Sequence, residues 1–117
     1  MRDTYLKERN QEGSMEKERA DNLCNLAACD NGIGEHSQAL KNYNQALSIY
    51  RGLYGSDHNK YSAIAIGNMS KVYYKLDERG KTRECLKLAT DILEDLLGKE
   101  DPDYEHFKQL ADTLDEW

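Results

Sequence analysis

The side chains able to do acid–base, metal or nucleophilic chemistry are few and scattered. His36, His58 and His106 fall in three separate stretches, each near the start of a helical pattern, and read as solvated surface residues. Cys24 and Cys29 are five residues apart, about 140° around a helix, so a regular helix cannot bring both to one metal. With Cys85 they read as small half-buried hydrophobes. Asp30-Asn31-Gly32 starts like a calcium loop but lacks the further spaced acids and the closing Glu. Gly32-Ile33-Gly34 is half a dinucleotide fingerprint that follows a helix rather than a strand, and reads as a turn. Asn68-Met69-Ser70 matches a glycosylation acceptor only by chance, because it falls on a packing stripe. Glu94-Asp95 and Asp115-Glu116 read as solvated faces. No metalloprotease HExxH, phosphate loop or nucleophile elbow is present. The sequence therefore predicts no catalytic residue, no metal and no cofactor.

The elements that must position any other site repeat along the chain. Gly13, Gly55 and Gly98 look like helix stops spaced 42 and 43 residues apart. A shift of 43 places Asn25 on Asn68, Leu26 on Met69, Ala27 on Ser70, Tyr43 on Leu86, Ala46 on Ala89 and Tyr50 on Leu93 without a gap. Within each period apolar residues recur at i, i+3, i+4 and i+7, as in Leu40, Tyr43, Leu47 and Tyr50, the mark of a helix with one buried stripe. Asn31-Gly32-Ile33-Gly34 and Leu76-Asp77-Glu78-Arg79-Gly80 divide each period in two, with glycine able to take the left-handed cap conformation. Asp57 and Asp101 stand where N-caps are wanted, and Pro102 suits a first helical turn. The spacing predicts a helical tail near 3–11 and helices near 15–31, 35–53, 59–76, 80–97 and 102–116, an all-α chain.

Composition narrows the class. At 117 residues the chain has room for one domain. Hydrophobic residues make up 38%, and exchanging the 8 Tyr for the 8 Gly leaves that share unchanged, below the roughly 45–50% of ordinary domains, so the core is thin. A net charge of −6 argues against a nucleic-acid or anionic membrane partner. The longest apolar run, Ala63-Ile64-Ala65-Ile66, is far short of a membrane span. Residues 1–9 carry no apolar leader, and three Cys form no closed disulfide framework, so the expected compartment is the cytoplasm.

These residues resemble the tetratricopeptide repeat, whose pattern runs W-x2-L-G-x2-Y, A-x3-F and a late Pro. Leu23, Leu26, Ala27 and Asp30 fill the first helix of one repeat, and Ala39, Tyr43 and Ala46 the second. Ile66, Met69, Ser70 and Tyr73, then Thr82, Leu86 and Ala89, fill the next repeat, and Phe107, Leu110, Ala111 and Leu114 a half repeat. The 42 to 43 residue period, Asn25-Leu26-Ala27, Gly34-Glu35 before Ala39-Leu40, and Tyr54-Gly55-Ser56-Asp57-His58 are similar to the kinesin-light-chain-like subtype. The resemblance implies an α-α superhelix of antiparallel helix pairs, about two and a half repeats. Residues 1–12 would end a preceding helix, 13–54 and 55–97 would be repeats, and 98–117 a half repeat or capping helix. Asp30, Asp77 and Thr82 depart from the pattern, in place of an aromatic, a Gly and a small Ala, and Asn59 stands where Pro often follows Asp-His. Looser packing is expected around Asp30 and Thr82. So short an array implies either a longer parent protein or association of its end helices, with Trp117 as one sticky end.

In the family the first helix of each repeat lines a concave groove. The matching positions here are Asp21, Cys24, Asn25, Ala28 and Asn31, then Ile64, Gly67, Asn68, Lys71, Tyr74 and Lys75, then Glu105, Lys108, Gln109, Asp112 and Asp115. Asn25 and Asn68 stand out, because an amide side chain can bond both the C=O and the N–H of an extended peptide. The resemblance thus implies a non-enzymatic interaction module, an adaptor or scaffold that binds a peptide or helical segment of a protein partner. Asp21, Glu105, Asp112 and Asp115 outnumber Lys71, Lys75 and Lys108, so the expected partner is neutral or basic and partly apolar. The alternative is a self-associating fragment, a homo-oligomer joined through its end helices.

Overall fold

A computed structural model describes the backbone of residues 2–115 and the side chains of 15–115. Within it, five helices follow one another without a strand: α1 (Arg2–Gly32), α2 (His36–Tyr54), α3 (Lys60–Lys75), α4 (Arg79–Leu97) and α5 (Pro102–Leu114). Each packs on the next, α1 on α2 and α3 on α4 most extensively. The result is two antiparallel hairpins plus a fifth helix, the all-α solenoid the periodicity predicts.

Small residues set how closely the helices approach. Ala20, Ala27, Ala39, Ala46, Ala63 and Ala89 are fully buried, with Tyr43, Leu47, Leu86, Leu93 and Phe107 filling the space between them. Two clusters form. One joins Ala20 of α1 to Ala46 and Tyr50 of α2, and the other runs from Ala27 and Tyr43 through α3 and α4 to Tyr104, Phe107 and Leu114. α5 is seated by Gly67: a Cβ there would lie 2.4 Å from Phe107 Cζ, so only glycine lets that ring lie on α3.

Several local expectations change. Gly13 does not stop a helix, and α1 runs through it from residue 2 to 32, because one interior glycine costs only about 1 kcal/mol among strong helix formers. Gly55 and Gly98 do end helices, with φ of 84° and 86°. Between α3 and α4 the left-handed residue is Asp77, at φ 60°, while Gly80 lies inside α4. Asp101 caps α5, its carboxylate accepting from Tyr104 N–H at 3.0 Å, but α3 is capped by Asn59, whose Oδ1 accepts from Ser62 N–H at 2.8 Å. Asp57, one turn too early, instead accepts from Arg51 Nε at 2.7 Å. Leu26, read as part of the buried stripe, is 56% exposed, because the stripe of α1 runs Ala20, Leu23, Cys24, Ala27. No looseness surrounds the two departures. Asn42 Nδ2 donates to the Asp30 carboxylate at 2.8 Å, and Thr82 is 1% exposed with its hydroxyl donating to Glu78 O. Trp117 lies outside the described residues, as do the side chains of 1–12.

Candidate functional site

The first helices α1, α3 and α5 share one side of the solenoid, and their outward stripes make its concave wall. On α3 the stripe is Ile64, Asn68, Lys71 and Lys75, at i, i+4, i+7 and i+11, and on α1 it is Asp21, Asn25 and Ala28. Asn25 and Ala28 are exposed and Asn68 and Ile64 half-buried, and among the described residues no hydrogen bond ties either Asn side chain to another helix. Asp21 is engaged: Tyr50 donates to one carboxylate oxygen at 2.5 Å and Lys17 to the other at 2.8 Å. Burial pushes the Asp21 carboxyl up, but those two hydrogen bonds outweigh it and hold the group below the ordinary aspartate range. Burial likewise drives the Tyr50 hydroxyl well above the usual phenol range, and its bond to Asp21 adds to the shift.

At the C-terminal ends of these helices the wall deepens into a cleft of about 410 Å³. Asn31, Lys71, Tyr74 and Lys75 line it together with Ser70, Thr82, Leu86, Leu110, Thr113 and Leu114. Leucines supply the floor and two ammonium groups the mouth. Lys75 Nζ donates to the Asn31 carbonyl at 3.2 Å, which ties the end of α3 to the end of α1. The other side chain of that edge, Asn31 Oδ1, sits 3.0 Å from His36 Nδ1. Lys71 Nζ lies 5.8 Å from the Phe107 ring centre, and burial lowers its pKa from the ordinary lysine value. At the far end of α1, Lys17 Nζ stands 4.3 Å over the ring of Tyr61, which stacks between Tyr50 and Tyr54.

Four of the nine predicted site residues, Asn31, Lys71, Tyr74 and Lys75, thus meet in one cleft, while Asp21, Asn25, Ala28, Ile64 and Asn68 lie along the wall leading to it. The floor was missed because Leu110 and Leu114 read as core residues of a half repeat. Their own second helix is absent from the described residues, and this leaves the edge between Leu86 and Leu114 open.

The acidic residues of α5 are misplaced by the repeat alignment. With Tyr104, Phe107 and Leu114 buried, Lys108, Asp112 and Asp115 turn towards α4, where they line a second cleft of about 320 Å³ with Arg83, Lys87 and Asp91. Lys108 and Asp112 pair there at 3.3 Å. Gly67, also expected in the groove, is covered by Phe107, and half-buried Cys24 packs against the core. Among the described residues no group of three or more His, Cys, Asp or Glu is placed to hold a metal ion. None of the described helices is long and apolar enough to cross a membrane.

Comparison with protein families finds a match to the tetratricopeptide repeat over residues 18–95, about two thirds of the chain. Comparison with curated proteins finds no match. The matched segment spans the described stack from the first buried alanine of α1 to the last turn of α4. By sequence match and helix-pair architecture together, the chain belongs to the tetratricopeptide repeat family, whose members mediate protein–protein interactions.

Proposed function

We propose that the concave wall holds an extended segment of a partner protein, with the chain acting as an adaptor or scaffold and not as a catalyst. The observation that carries this reading is the apolar-floored cleft in which Asn31, Lys71, Tyr74 and Lys75 converge. Asn25 and Asn68 bond the backbone of the segment without reading its sequence, and one large apolar side chain enters the cleft over Leu86, Leu110 and Leu114. Stacked helices hold these groups in place before the partner arrives, so little receptor entropy is lost on binding. With Asp112 and Asp115 facing α4 and Asp21 already paired, the cleft mouth presents Lys71 and Lys75. This favours a neutral segment over a basic one. The 42 to 43 residue period supports the kinesin-light-chain-like subtype, and the net charge of −6 supports neither nucleic acid nor a membrane as partner. The proposed compartment is the cytoplasm.

Screening a library of short peptides tests the reading, with the best binder carried into titrations. Tyr74→Ala and Asn68→Ala are each expected to weaken it by about tenfold or more, equivalent to roughly 1.4 kcal/mol. Undiminished binding by both variants overturns the groove as the site. The competing reading, a homo-oligomer joined through its end helices, draws support from exposed Met15, Leu26 and Ile33 on α1. A molar mass that stays near 13.5 kDa over a wide concentration range rejects it.

A further inference from the structure

α1 and α3 are equivalent helices with unequal company. α1 has its own second helix, α2, and the next first helix, α3; α3 has α4 and α5 in the same two roles. What α3 has in addition is the helix pair before it, and of that pair α2 supplies most of the packing. The extra burial on α3 therefore marks the surface that α2 covers. At the shift of 43 that surface is Ser62, Ala65, Met69 and Val72, each between 0 and 6% exposed, and it corresponds on α1 to Arg19, Asn22, Leu26 and Cys29. Leu26 is 56% exposed, and Met15 and Ile33, on the same side of the helix by the 100° rule, are 70% and 77% exposed. An apolar stripe runs the described length of α1 where its repeat equivalent is closed by a helix.

We infer that this stripe is a docking surface for an amphipathic helix of α2-like chemistry, one that carries an apolar ridge at the spacing of Leu40, Tyr43 and Leu47. That ridge is what α2 contributes to the shared cluster containing Ala65, Met69 and Val72 of α3, so the template for the contact is already present inside the molecule. A second copy is the poorer occupant. The outer face of α5 carries Glu105, Lys108, Asp112 and Asp115, all exposed, and stacking it on the α1 stripe would desolvate charges against Met15, Leu26 and Ile33. α2 and α4 already have both apolar faces engaged by their neighbours. The surface is separate from the groove, since Leu26 is turned about 100° from Asn25.

The test uses the full chain and a synthetic peptide of residues 36–54, the α2 sequence. The peptide is expected to bind, to slow alkylation of exposed Cys29, and to lose about tenfold or more in affinity to Leu26→Glu, whose exposed site leaves the melting temperature near that of the parent. Binding that Leu26→Glu leaves unchanged means the peptide displaces the native α2, and overturns the inference. So does absence of binding at peptide concentrations of about 1 mM, the weak end of specific association. A mass that doubles without peptide, and returns to the monomer in Leu26→Glu, makes a second copy the occupant and equally overturns it. None of these outcomes touches Asn68 or Tyr74, so failure here and failure of the groove reading are separable.

Discussion

Met69 and Leu26 stand at the same place in successive repeats, in helices of matching pattern, yet one is 6% exposed and the other 56%. Their neighbours behave alike: Ala27 and Ser70, both facing their own second helix, are 0% and 1% exposed. Sequence equivalence in a repeat therefore fixes the face turned inward within a helix pair, while burial of the opposite face depends on which pair stands next to it. α3 is an interior helix and α1 an end helix, and an alignment contains no term for that difference.

The comparison is most directly broken by matched truncations. Met69→Ala is expected to cost about 2–5 kcal/mol in chemical denaturation, as buried large-to-small changes do, and Leu26→Ala to stay within about 0.5 kcal/mol of the parent. Equal costs would mean that α1 is covered in solution. Next in size, Gly67→Ala probes the close approach that only the interior helix makes. The added methyl meets the Phe107 ring, and overpacking of about 1–3 kcal/mol outweighs the roughly 1 kcal/mol gained in helix propensity. A melting temperature below that of the parent, with loss of helical signal from α5, is the expected result.

Asp77→Gly sharpens the contrast between the two turns. Gly34 takes φ 88° after α1, and Asp77 holds φ 60° after α3. Relieving the side chain there should raise stability by up to about 1 kcal/mol in thermal melting. Asp21→Asn carries the smallest effect. The folded pKa of Asp21 is lowered, so its contribution is present above the ordinary aspartate pKa, near 3.9, and is lost as pH falls through and below it. The carboxylate is 41% exposed, and solvent screening leaves about 0.2–1 kcal/mol at most. Denaturation curves at pH 7 should differ by that small amount and converge by about pH 2 to 3.

Much of this architecture was legible before any coordinates. Helix-period apolar residues and a 43-residue shift are local and additive signals, and they delivered α2, α3, α4 and α5 to within about two residues. Gly13 misled because a glycine stops a helix only when the chain beyond it gains by turning. Asp57 and Asn59 were confused because both can cap, and only the start of α3 at Lys60 decides between them. At the site, the α3 stripe was readable because it needs only the 100° rotation per residue. The floor of the cleft was not, because Leu86, Leu110 and Leu114 become a surface only where two helices from different repeats fail to close. The charge of the groove was misjudged for a related reason: rotation of α5 about its own axis is set by where Phe107 lands, on a glycine forty residues away.

The two lysine contacts between α1 and α3 have a mechanical meaning. Lys17 reaches Tyr61 at one end of the wall and Lys75 reaches Asn31 at the other. The first helices are thus joined like the rails of a ladder with two rungs, one near each end. Such a frame resists shear and twist at its ends and is most compliant between them, beside Asn25 and Asn68. Both rungs are ammonium groups at the surface, so salt softens them together. The curvature of the wall becomes a spring whose stiffness is set by the ionic strength of the solution around it.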